Sequence, residues 1–412
     1  MSQHTVVIGA GIVGVSTAIW LHRAGVSTTL IDRASPGHGT SYGNAGVLAA
    51  VSVAPVTAPG LIAKAPRMLA SKEAPLFLRW AYFPKLAPWL MKYLSHANDA
   101  DTRRIARGLA PIVSDSVSQH MALTESLGLQ DWITQDDYAY GYRSRADFDA
   151  ERYTWDLRRE AGFEPILIDG NDVRDYEPNI SGVGFIAACR DHGFIRDPGG
   201  YVGVLAKRFE EMGGRIVQAS VQDVDLNAAK VQAVLTDRGT FACDCVVLAT
   251  GVWSKPLMQK LGLRVPLESE RGYHIVYEGA EHGPKRPIMI TSGKFVATPM
   301  AAGVRCAGLL EFGGLDAGPS RAPFQLLRRK TREAFPNMTF TREIEWMGHR
   351  PAPADSLPLI GQIGQSGVYT AFGHHHIGLT GGPKTGRLVA GLIAGQPTNM
   401  DLSAYAPERF AK

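Results

Sequence analysis

Hydrophobic and polar residues follow two different periods at the start of the chain. Residues 5–8 are an apolar, strand-like run, and after a glycine-rich turn the apolar residues Ala18, Ile19 and Leu21 follow at helical spacing. Gly25 stands where a helix C-cap is expected, and residues 28–31 form a second strand-like run. A strand, a helix and a second strand in about thirty residues predict a β-α-β unit.

Strand-like alternation dominates the pattern beyond residue 130. It predicts strands at residues 139–143, 184–189, 215–224, 231–236, 240–248, 272–277, 294–298, 305–310 and 367–372. A helix is predicted to begin at Asp197-Pro198 and to end at Gly213-Gly214, and another helix precedes Gly395. The runs 215–224, 231–236 and 240–248 together predict a β-meander.

Composition excludes several classes of protein. The chain has 412 residues, 45% of them hydrophobic and 20% charged, which is typical of a globular protein. Its net charge of +4 comes without a dense run of basic residues, which argues against nucleic-acid binding and suits an anionic substrate or an acidic lipid. The four cysteines form no CxxC pair and favour a reducing compartment.

Two segments bear on membrane contact. Residues 40–63 are uncharged, but Pro55 and Pro59 favour a loop over a spanning helix. Residues 74–93 concentrate aromatic side chains beside basic ones, which fits either helices that cover the core or an interfacial segment that touches a membrane. Since no secretory signal precedes the first strand, we expect a cytoplasmic protein, with peripheral contact on the inner face of the cytoplasmic membrane as the open alternative.

The glycine-rich turn carries the first chemical signal. Gly9, Gly11 and Gly14 form a GxGxxG pattern between a predicted strand and a predicted helix, and Asp32 ends the next strand. In this context the glycines permit a tight turn, close approach of a pyrophosphate, and close packing of helix on strand. Asp32 is placed to accept hydrogen bonds from ribose hydroxyls, so we predict a dinucleotide site.

Three features favour FAD over NAD as the dinucleotide. The glycine turn lies within ten residues of the N-terminus, and residues 37–46 form a small-residue loop suited to lining an extended cofactor. Residues 246–251 form an apolar strand that runs into a small-residue turn, a second contact common in FAD domains.

The C-terminal part adds a G-x-R-P-x-x-x-D-x-x-P-x-x-G stretch from Gly348 and a G-H-x-x-x-G-x-T loop from Gly373. With the N-terminal glycine motif and the T-S-x-x-N-A-G loop at residues 40–46, these motifs resemble the family of glycine oxidase, sarcosine oxidase and D-amino-acid oxidase. The resemblance is greatest to the respiratory D-amino-acid dehydrogenases of bacteria. It spans nearly the whole chain, and residues 47–130 match loosely.

The resemblance implies roles for four catalytic residues. Arg350 corresponds to the arginine that holds the substrate carboxylate, a task suited to a planar, bidentate guanidinium. Tyr273 is expected to close over the substrate as a carboxylate donor or lid, with simple packing as the alternative. His374 and His376 are expected to contact the flavin ring. The extra histidines His375 and His376 depart from the usual pattern of the family.

The cofactor contacts follow from the motifs and the resemblance. The helix that begins near Thr380 would direct its positive end at the flavin and stabilise its anionic reduced form. The predicted contacts are Gly9, Ala10, Gly11, Ile12, Val13, Gly14, Asp32, Arg33, Thr40, Ser41, Asn44, Ala45, Gly46, Val221, Ala249, Thr250, Gly251, Gly348, Gly378, Leu379 and Thr380. Noncovalent FAD is expected, because the context of Cys306 is unlike a flavin-attachment motif. No metal site is expected, since adjacent histidines rarely converge on one ion.

The fold class predicted is α/β with an α+β insert. Residues 1–46, 197–262 and 348–412 are assigned to a Rossmann-type FAD-binding domain. Residues 47–196 and 263–347 are assigned to a discontinuous β-sheet substrate domain, in which residues 47–130 form a helical and loop excursion.

The resemblance implies oxidative deamination of small D-amino acids by hydride transfer to flavin N5. Electrons would pass to a quinone-type acceptor or to oxygen. Oxidation of cyclic or N-methyl amino acids, such as D-hydroxyproline, proline, sarcosine or glycine, remains an alternative. An NAD-dependent dehydrogenase is one alternative, and it would be colourless when purified, whereas a flavoprotein is yellow. A non-catalytic FAD-bound subunit is another, and its flavin would not be reduced by any amine.

Overall fold

A computed structural model of the chain describes residues 3–63 and 75–411. Residues 74–93 are named here the aromatic segment, and residue 74 lies outside the described residues. The described α-helices are Ile12–Arg23, Phe83–Ser95, Asp99–Val113, Ser116–Thr124, Arg145–Ala150, Arg152–Glu160, Asp172–Tyr176, Pro198–Glu211, Ser254–Lys260, Arg321–Ala334 and Gly378–Ile393. The strands are His4–Ile8, Ser27–Asp32, Val47–Leu48, Leu76–Leu78, Ile133–Tyr142, Ile166–Asp169, Phe185–Ile195, Arg215–Gln218, Val221–Asn227, Lys230–Thr236, Gly239–Ala242, Cys245–Leu248, Leu267–Glu278, Ile288–Ile290, Phe295–Met300, Gly303–Phe312, Arg342–Pro353, Leu359–Gln362 and Val368–Phe372.

The predicted β-α-β unit lies at the centre of a six-stranded sheet. The strand order is Leu359–Gln362, Val368–Phe372, Cys245–Leu248, His4–Ile8, Ser27–Asp32 and Arg215–Gln218. All neighbours pair in parallel except the first two, which are antiparallel. The first strand is buried on both faces, as expected of a parallel strand covered by helices. The sheet therefore draws on the N-terminal, middle and C-terminal parts of the chain.

The first helix, Ile12–Arg23, and the last helix, Gly378–Ile393, pack closely on each other. Gly386 makes this approach possible, because a Cβ atom there would lie 2.6 Å from the backbone nitrogen of Thr17. Asp197 caps the helix Pro198–Glu211 as predicted, since its side chain accepts a hydrogen bond from the Gly200 N–H. These helices cover the six-stranded sheet and fix the glycine turn against the C-terminal loop.

The remaining strands form a small three-stranded sheet and a ten-stranded mixed sheet. Two of its strands matter most for the site: Arg342–Pro353, named here the arginine strand, and Leu267–Glu278, named the glutamate strand. They are antiparallel neighbours throughout, with Glu270 opposite Arg350 and Gly272 opposite Gly348. Because directly opposed residues point to the same face, Glu270, Gly272, Gly348 and Arg350 share one face of the sheet.

The predicted β-meander is wrong in which strands it contains. Arg215–Gln218 adds in parallel to the edge of the six-stranded sheet, and the run 240–248 divides into Gly239–Ala242 and Cys245–Leu248. The true antiparallel unit is Val221–Asn227, Lys230–Thr236 and Gly239–Ala242. The break falls at Cys243-Asp244, after which the chain returns to the parallel sheet.

The aromatic segment covers the core with part of its side chains and exposes others. Leu86, Trp89 and Tyr93 are buried against the sheet, and Trp89 donates a hydrogen bond to the Ala352 carbonyl at 3.0 Å. Trp80 is 66% exposed and Met91 is 68% exposed. Within the described residues, no helix combines the length and the apolar character needed to cross a bilayer.

Candidate active site

The glycine turn forms a surface of bare backbone. Gly9 has φ +106°, and a Cβ atom there would lie 2.5 Å from the Ala249 carbonyl oxygen. At Gly14 a Cβ atom would lie 1.8 Å from the Gly9 carbonyl oxygen, whereas at Gly11 it would meet only Ser41 Oγ, at 3.3 Å. Gly9 and Gly14 therefore close the turn, and Gly11 leaves its outer side open to a ligand.

Asp32 fixes the turn from the neighbouring strand. Its Oδ2 atom accepts a hydrogen bond from the Ala10 N–H at 2.7 Å, and its Oδ1 atom accepts one from the Ala34 N–H at 2.9 Å. The first helix begins beside it, with Gly11 as N-cap and no side-chain capping bond. A positive helix end and a half-buried carboxylate thus lie at one turn, as pyrophosphate and ribose binding require.

The loop of residues 40–46, named here the asparagine loop, joins three parts of the site. Ser41 Oγ accepts the Ile12 N–H at 3.1 Å, Thr40 Oγ1 donates to the His349 carbonyl at 2.8 Å, and Asn44 Nδ2 donates to the His376 carbonyl at 3.4 Å. The buried Arg305 donates to the carbonyls of residues 42 and 44. The loop therefore connects the first helix with the arginine strand and the C-terminal loop.

The remaining predicted cofactor contacts lie on elements around this turn. Ala249, Thr250 and Gly251 follow the strand next to Gly9, and Arg33 stacks over Trp253 at 4.4 Å. Val221 starts a strand two residues after Ala219, whose N–H donates to the Asp32 carbonyl at 2.8 Å. Gly378, Leu379 and Thr380 begin the last helix, which also lacks a side-chain cap. Ile12, Val13, Ala45, Gly46 and Gly348 complete the set.

These residues fit FAD. Cβ-free backbone at the turn, two helix N-termini without side-chain caps, and a carboxylate at the end of the second strand are the features that an extended dinucleotide needs. A separate cavity of about 880 Å³ lies at the opposite, amino ends of the first two strands and is lined by residues such as His4 and Arg215. It contains none of the predicted site residues and is not the cofactor site.

Arg350 lies on the sheet face that it shares with Glu270 and Gly272. Its guanidinium crosses directly over Gly272, where a Cβ atom would lie 2.6 Å from Cζ, and its Nη1 donates to the Leu309 carbonyl at 3.3 Å. Burial lowers the pKa of Arg350 and the Glu270 carboxylate opposes that shift, so the group stays charged at neutral pH. Arg350 is therefore a half-buried cation with donors left for an anionic ligand.

The loop Gly373–Ile377, named here the histidine loop, brings two histidines to Arg350 and Glu270. His375 Nδ1 lies 3.3 Å from Glu270 Oε2, and its Nε2 lies 3.3 Å from the Pro353 carbonyl oxygen. His376 keeps an exposed surface although it is packed among protein atoms; desolvation by this packing, then Arg350 and His375, lower its pKa to about 4. His376 is therefore neutral near pH 7.

Tyr273 and His374 do not join this group. Tyr273 points to the opposite face of the glutamate strand, where its hydroxyl donates to Glu311 Oε2 at 2.6 Å and its ring meets Phe324 edge-on. Successive residues of a strand point to opposite faces of the sheet, so Tyr273 faces away from the side that Glu270 and Gly272 share. His374 is buried, its Nε2 lies 2.9 Å from Thr385 Oγ1, and burial lowers its pKa to about 3. The structure therefore places the hydroxyl of Tyr273 and the ring of His374 away from the group formed by Arg350, Glu270 and His375.

Glu270 and His375 are site residues without an assigned role in the sequence analysis. One signal was available: Glu268, Glu270 and His274 lie at even-numbered positions of one strand, although Ser269 and Arg271 between them are polar as well. Cys306 lies on the same face of the sheet as Tyr273, so its thiol faces away from Arg350. Burial raises the pKa of this thiol to about 12. Within residues 3–63 and 75–411, no group of three or more His, Cys, Asp or Glu side chains is arranged to hold a metal ion.

Comparisons with known proteins identify the family of the chain. A family profile described as DAO, FAD dependent oxidoreductase, matches residues 4–392. A D-amino-acid oxidase of Bradyrhizobium diazoefficiens is 38% identical over 99% of both chains, and D-amino acid dehydrogenase 2 of Pseudomonas aeruginosa is 30% identical over 99% of both. The crystal structure of glycine oxidase from Geobacillus kaustophilus shares the fold, with a TM-score of 0.76 at 18% identity over 99% of both chains. The chain belongs to the DAO family of FAD-dependent oxidoreductases.

Proposed function

We propose that this chain oxidises the carbon–nitrogen bond of small D-amino acids. The observation that carries the proposal is Arg350, a half-buried cation on the sheet face beside the histidine loop, with donors left for a carboxylate. Two relatives that align over 99% of their length are a D-amino-acid oxidase and a D-amino acid dehydrogenase, which supports the same substrate class and enantiomer. The products would be an imino acid and, after hydrolysis, a keto acid and ammonia.

The residues of the site act mainly by positioning. Arg350 would bind the substrate carboxylate through two charge-assisted hydrogen bonds and so fix the direction of the Cα–H bond. His376, neutral near pH 7 because of its lowered pKa, adds a polar ring without a second positive charge. Bound FAD would supply the hydride acceptor. Backbone around Gly9, Gly11 and Asp32, together with Arg33, Thr40 and the other predicted contacts, would hold the cofactor noncovalently.

The first test is the visible spectrum of the purified protein under anaerobic conditions. We expect a flavin spectrum that bleaches on addition of a small D-amino acid and stays unchanged with its L-enantiomer. Glycine, sarcosine, D-hydroxyproline and L-proline in the same panel separate the alternative substrates. A flavin that only a cyclic or N-methyl amine reduces would replace the D-amino-acid proposal by that alternative. A flavin that no amine reduces would contradict both.

The electron acceptor is tested on the same sample after reduction. We propose a quinone-type acceptor in place of oxygen, on the strength of the aromatic segment at the surface. Stopped-flow reoxidation should be at least about tenfold faster with a soluble quinone than with air-saturated buffer. The reverse order would assign the chain as an oxidase.

We also propose that the aromatic segment touches an anionic membrane surface. Trp80 and Phe83 lie beside each other and are 66% and 39% exposed. Lys85 and Lys92 are exposed on the same segment. Aromatic rings and lysines at one surface suit the lipid headgroup region.

The membrane contact predicts a defined loss of vesicle binding. Changing Trp80 and Phe83 together to Ser should lower binding to phosphatidylglycerol vesicles by about tenfold or more, because each buried ring contributes roughly 1.5–3 kcal/mol. The control is Leu167→Ser, which removes a side chain of similar exposure (39%) elsewhere and should leave binding unchanged. Equal binding of all three proteins in a co-sedimentation assay would contradict the contact.

A further inference from the structure

Arg350 and Glu270 are neighbours of opposite charge that do not pair. They stand directly opposite each other on adjacent strands and share one face of the sheet. The guanidinium instead lies over Gly272, and the Glu270 carboxylate turns to His375. Among the described residues no hydrogen bond or ion pair joins Arg350 to Glu270. The two charges are held apart on the same surface.

Each charge also retains unused bonding capacity. Within residues 3–63 and 75–411, Arg350 makes one hydrogen bond, at 3.3 Å, to the carbonyl of Leu309. Glu270 Oε2 meets His375, while Oε1 has no hydrogen-bond partner within the part of the chain that the structure describes. Burial of incompletely paired charges is costly, and such groups cluster where a ligand completes their bonding.

Glu270 carries its negative charge in this environment. Burial on its own would favour the neutral acid, but His375, Arg350 and His376 outweigh burial and hold the pKa of Glu270 below its usual value. Tyr93, on the helix Phe83–Ser95, interacts electrostatically with Glu270. Its pKa is raised by burial and by Glu270, so it stays neutral. The site therefore offers one fixed anion and one fixed cation.

The spacing suits a short zwitterion. Gly272, under the guanidinium, is two residues from Glu270 along the strand, which corresponds to about 7 Å. This spacing is between backbone positions, and groups anchored so close together can both contact, through two charge-assisted hydrogen bonds of about 2.8 Å each, a ligand whose anion and cation are separated by a single carbon atom. An α-amino acid has that form, whereas a hydroxy acid or a simple carboxylate lacks the cation.

We propose that Glu270 is the specificity-determining residue that binds the cationic amino group of the substrate while Arg350 binds its carboxylate. This inference rests on the proposed function and narrows it to substrates that carry a free, charged primary or secondary amine. His375 holds the other carboxylate oxygen of Glu270 and thereby directs Oε1 to the substrate.

Two non-reactive probes of nearly equal shape test the proposal. 2-Aminoisobutyrate has no Cα–H to lose and is achiral, and pivalate replaces its ammonium by a methyl group. Isothermal titration calorimetry on the FAD-loaded protein should show that the wild type binds 2-aminoisobutyrate at least tenfold more tightly than pivalate. Glu270→Gln should weaken 2-aminoisobutyrate binding at least tenfold and change pivalate binding less than threefold.

Matched variants separate recognition from a structural role. Glu268→Gln makes the same change two residues away, where the carboxylate is bonded to Tyr82 and to the Ser269 N–H, and should keep the wild-type preference. His375→Asn removes the histidine but leaves Arg350 and His376, which also lower the pKa of Glu270, and should keep 2-aminoisobutyrate ahead of pivalate. Glu270→Asp, which keeps the charge, serves where Glu270→Gln fails to fold with FAD and should retain part of the preference.

Three results would overturn the proposal. They are equal weakening of both probes by Glu270→Gln, unchanged binding of 2-aminoisobutyrate in that variant, and a wild type that does not distinguish the probes. If the wild type still bleaches with D-amino acids in any of these cases, the proposed function stands and only the role of Glu270 falls. A wild type that binds neither probe overturns the Arg350 assignment as well.

Discussion

Replacement of Arg350 by Met is expected to lower kcat/KM for the best amino-acid substrate by about 10²- to 10³-fold. Removing one partner from a buried, hydrogen-bonded charge pair costs roughly 3–5 kcal/mol, and the loss here would fall on the substrate carboxylate. Met keeps the apolar length of the side chain, so the packing over Gly272 is largely retained. Anaerobic stopped-flow reduction of the flavin measures the effect directly.

A substrate comparison identifies the contact that is lost. An amine without a carboxylate should be a poor substrate of the wild type and should lose less than about threefold in Arg350→Met. Arg350→Lys keeps the charge but loses bidentate geometry, and should fall between the two proteins. If Arg350→Met retains its FAD and still oxidises the amino acid within tenfold of the wild type, the carboxylate lies elsewhere.

The β-α-β unit could be predicted because its signals are local. Gly9, Gly14 and Asp32 act within one turn and one following strand, and the structure shows the close approaches that require glycine there. The same holds for the helix that Asp197 caps. A tight turn or a helix cap depends on a few adjacent residues, so it can be recognised without knowing the rest of the fold.

The strand partners and faces could not be predicted in this way. The strand around Tyr273 was identified, but which of its faces turns to the site depends on pairing with the arginine strand some eighty residues later. Tyr273 and Glu270 are both polar, and period two alone does not say which one faces the site. Likewise, the sequence pattern of Arg215–Gln218 predicts a meander strand, because its parallel pairing with Ser27–Asp32 is not visible in the sequence.

The three histidines illustrate the same limit in a loop. His375 has φ +45°, a left-handed conformation that a non-glycine residue adopts only where other contacts hold it. Because of this turn, His374 points to Thr385 while His375 and His376 lie near Glu270 and Arg350. The regular structure here is a single 3-10 turn, His375–Ile377, which is too short to produce a period in the sequence. The sequence therefore identified the three histidines but did not predict which of them face the site.

Gly14→Ala is expected to abolish stable FAD binding. A Cβ atom at Gly14 would lie 1.8 Å from the carbonyl oxygen of Gly9, which belongs to the backbone of the same turn. No side chain can move to relieve this contact, so the first helix must shift away from the first strand. The N–H groups at its start would then lose their alignment with the phosphates. We expect the Kd for FAD to rise by at least about a hundredfold, as measured by fluorescence titration of the apoprotein.

The matched control is Gly203→Ala, in the helix Pro198–Glu211. A Cβ atom at Gly203 would meet nothing within 4 Å, and its φ is not positive. Alanine there should leave FAD binding unchanged and stabilise the protein by about 0.5–1 kcal/mol, because glycine is a poor helix former. Thermal unfolding of both apoproteins separates a binding defect from a folding defect. A Gly14→Ala protein that purifies with one FAD per chain would show that the turn can open without losing the cofactor.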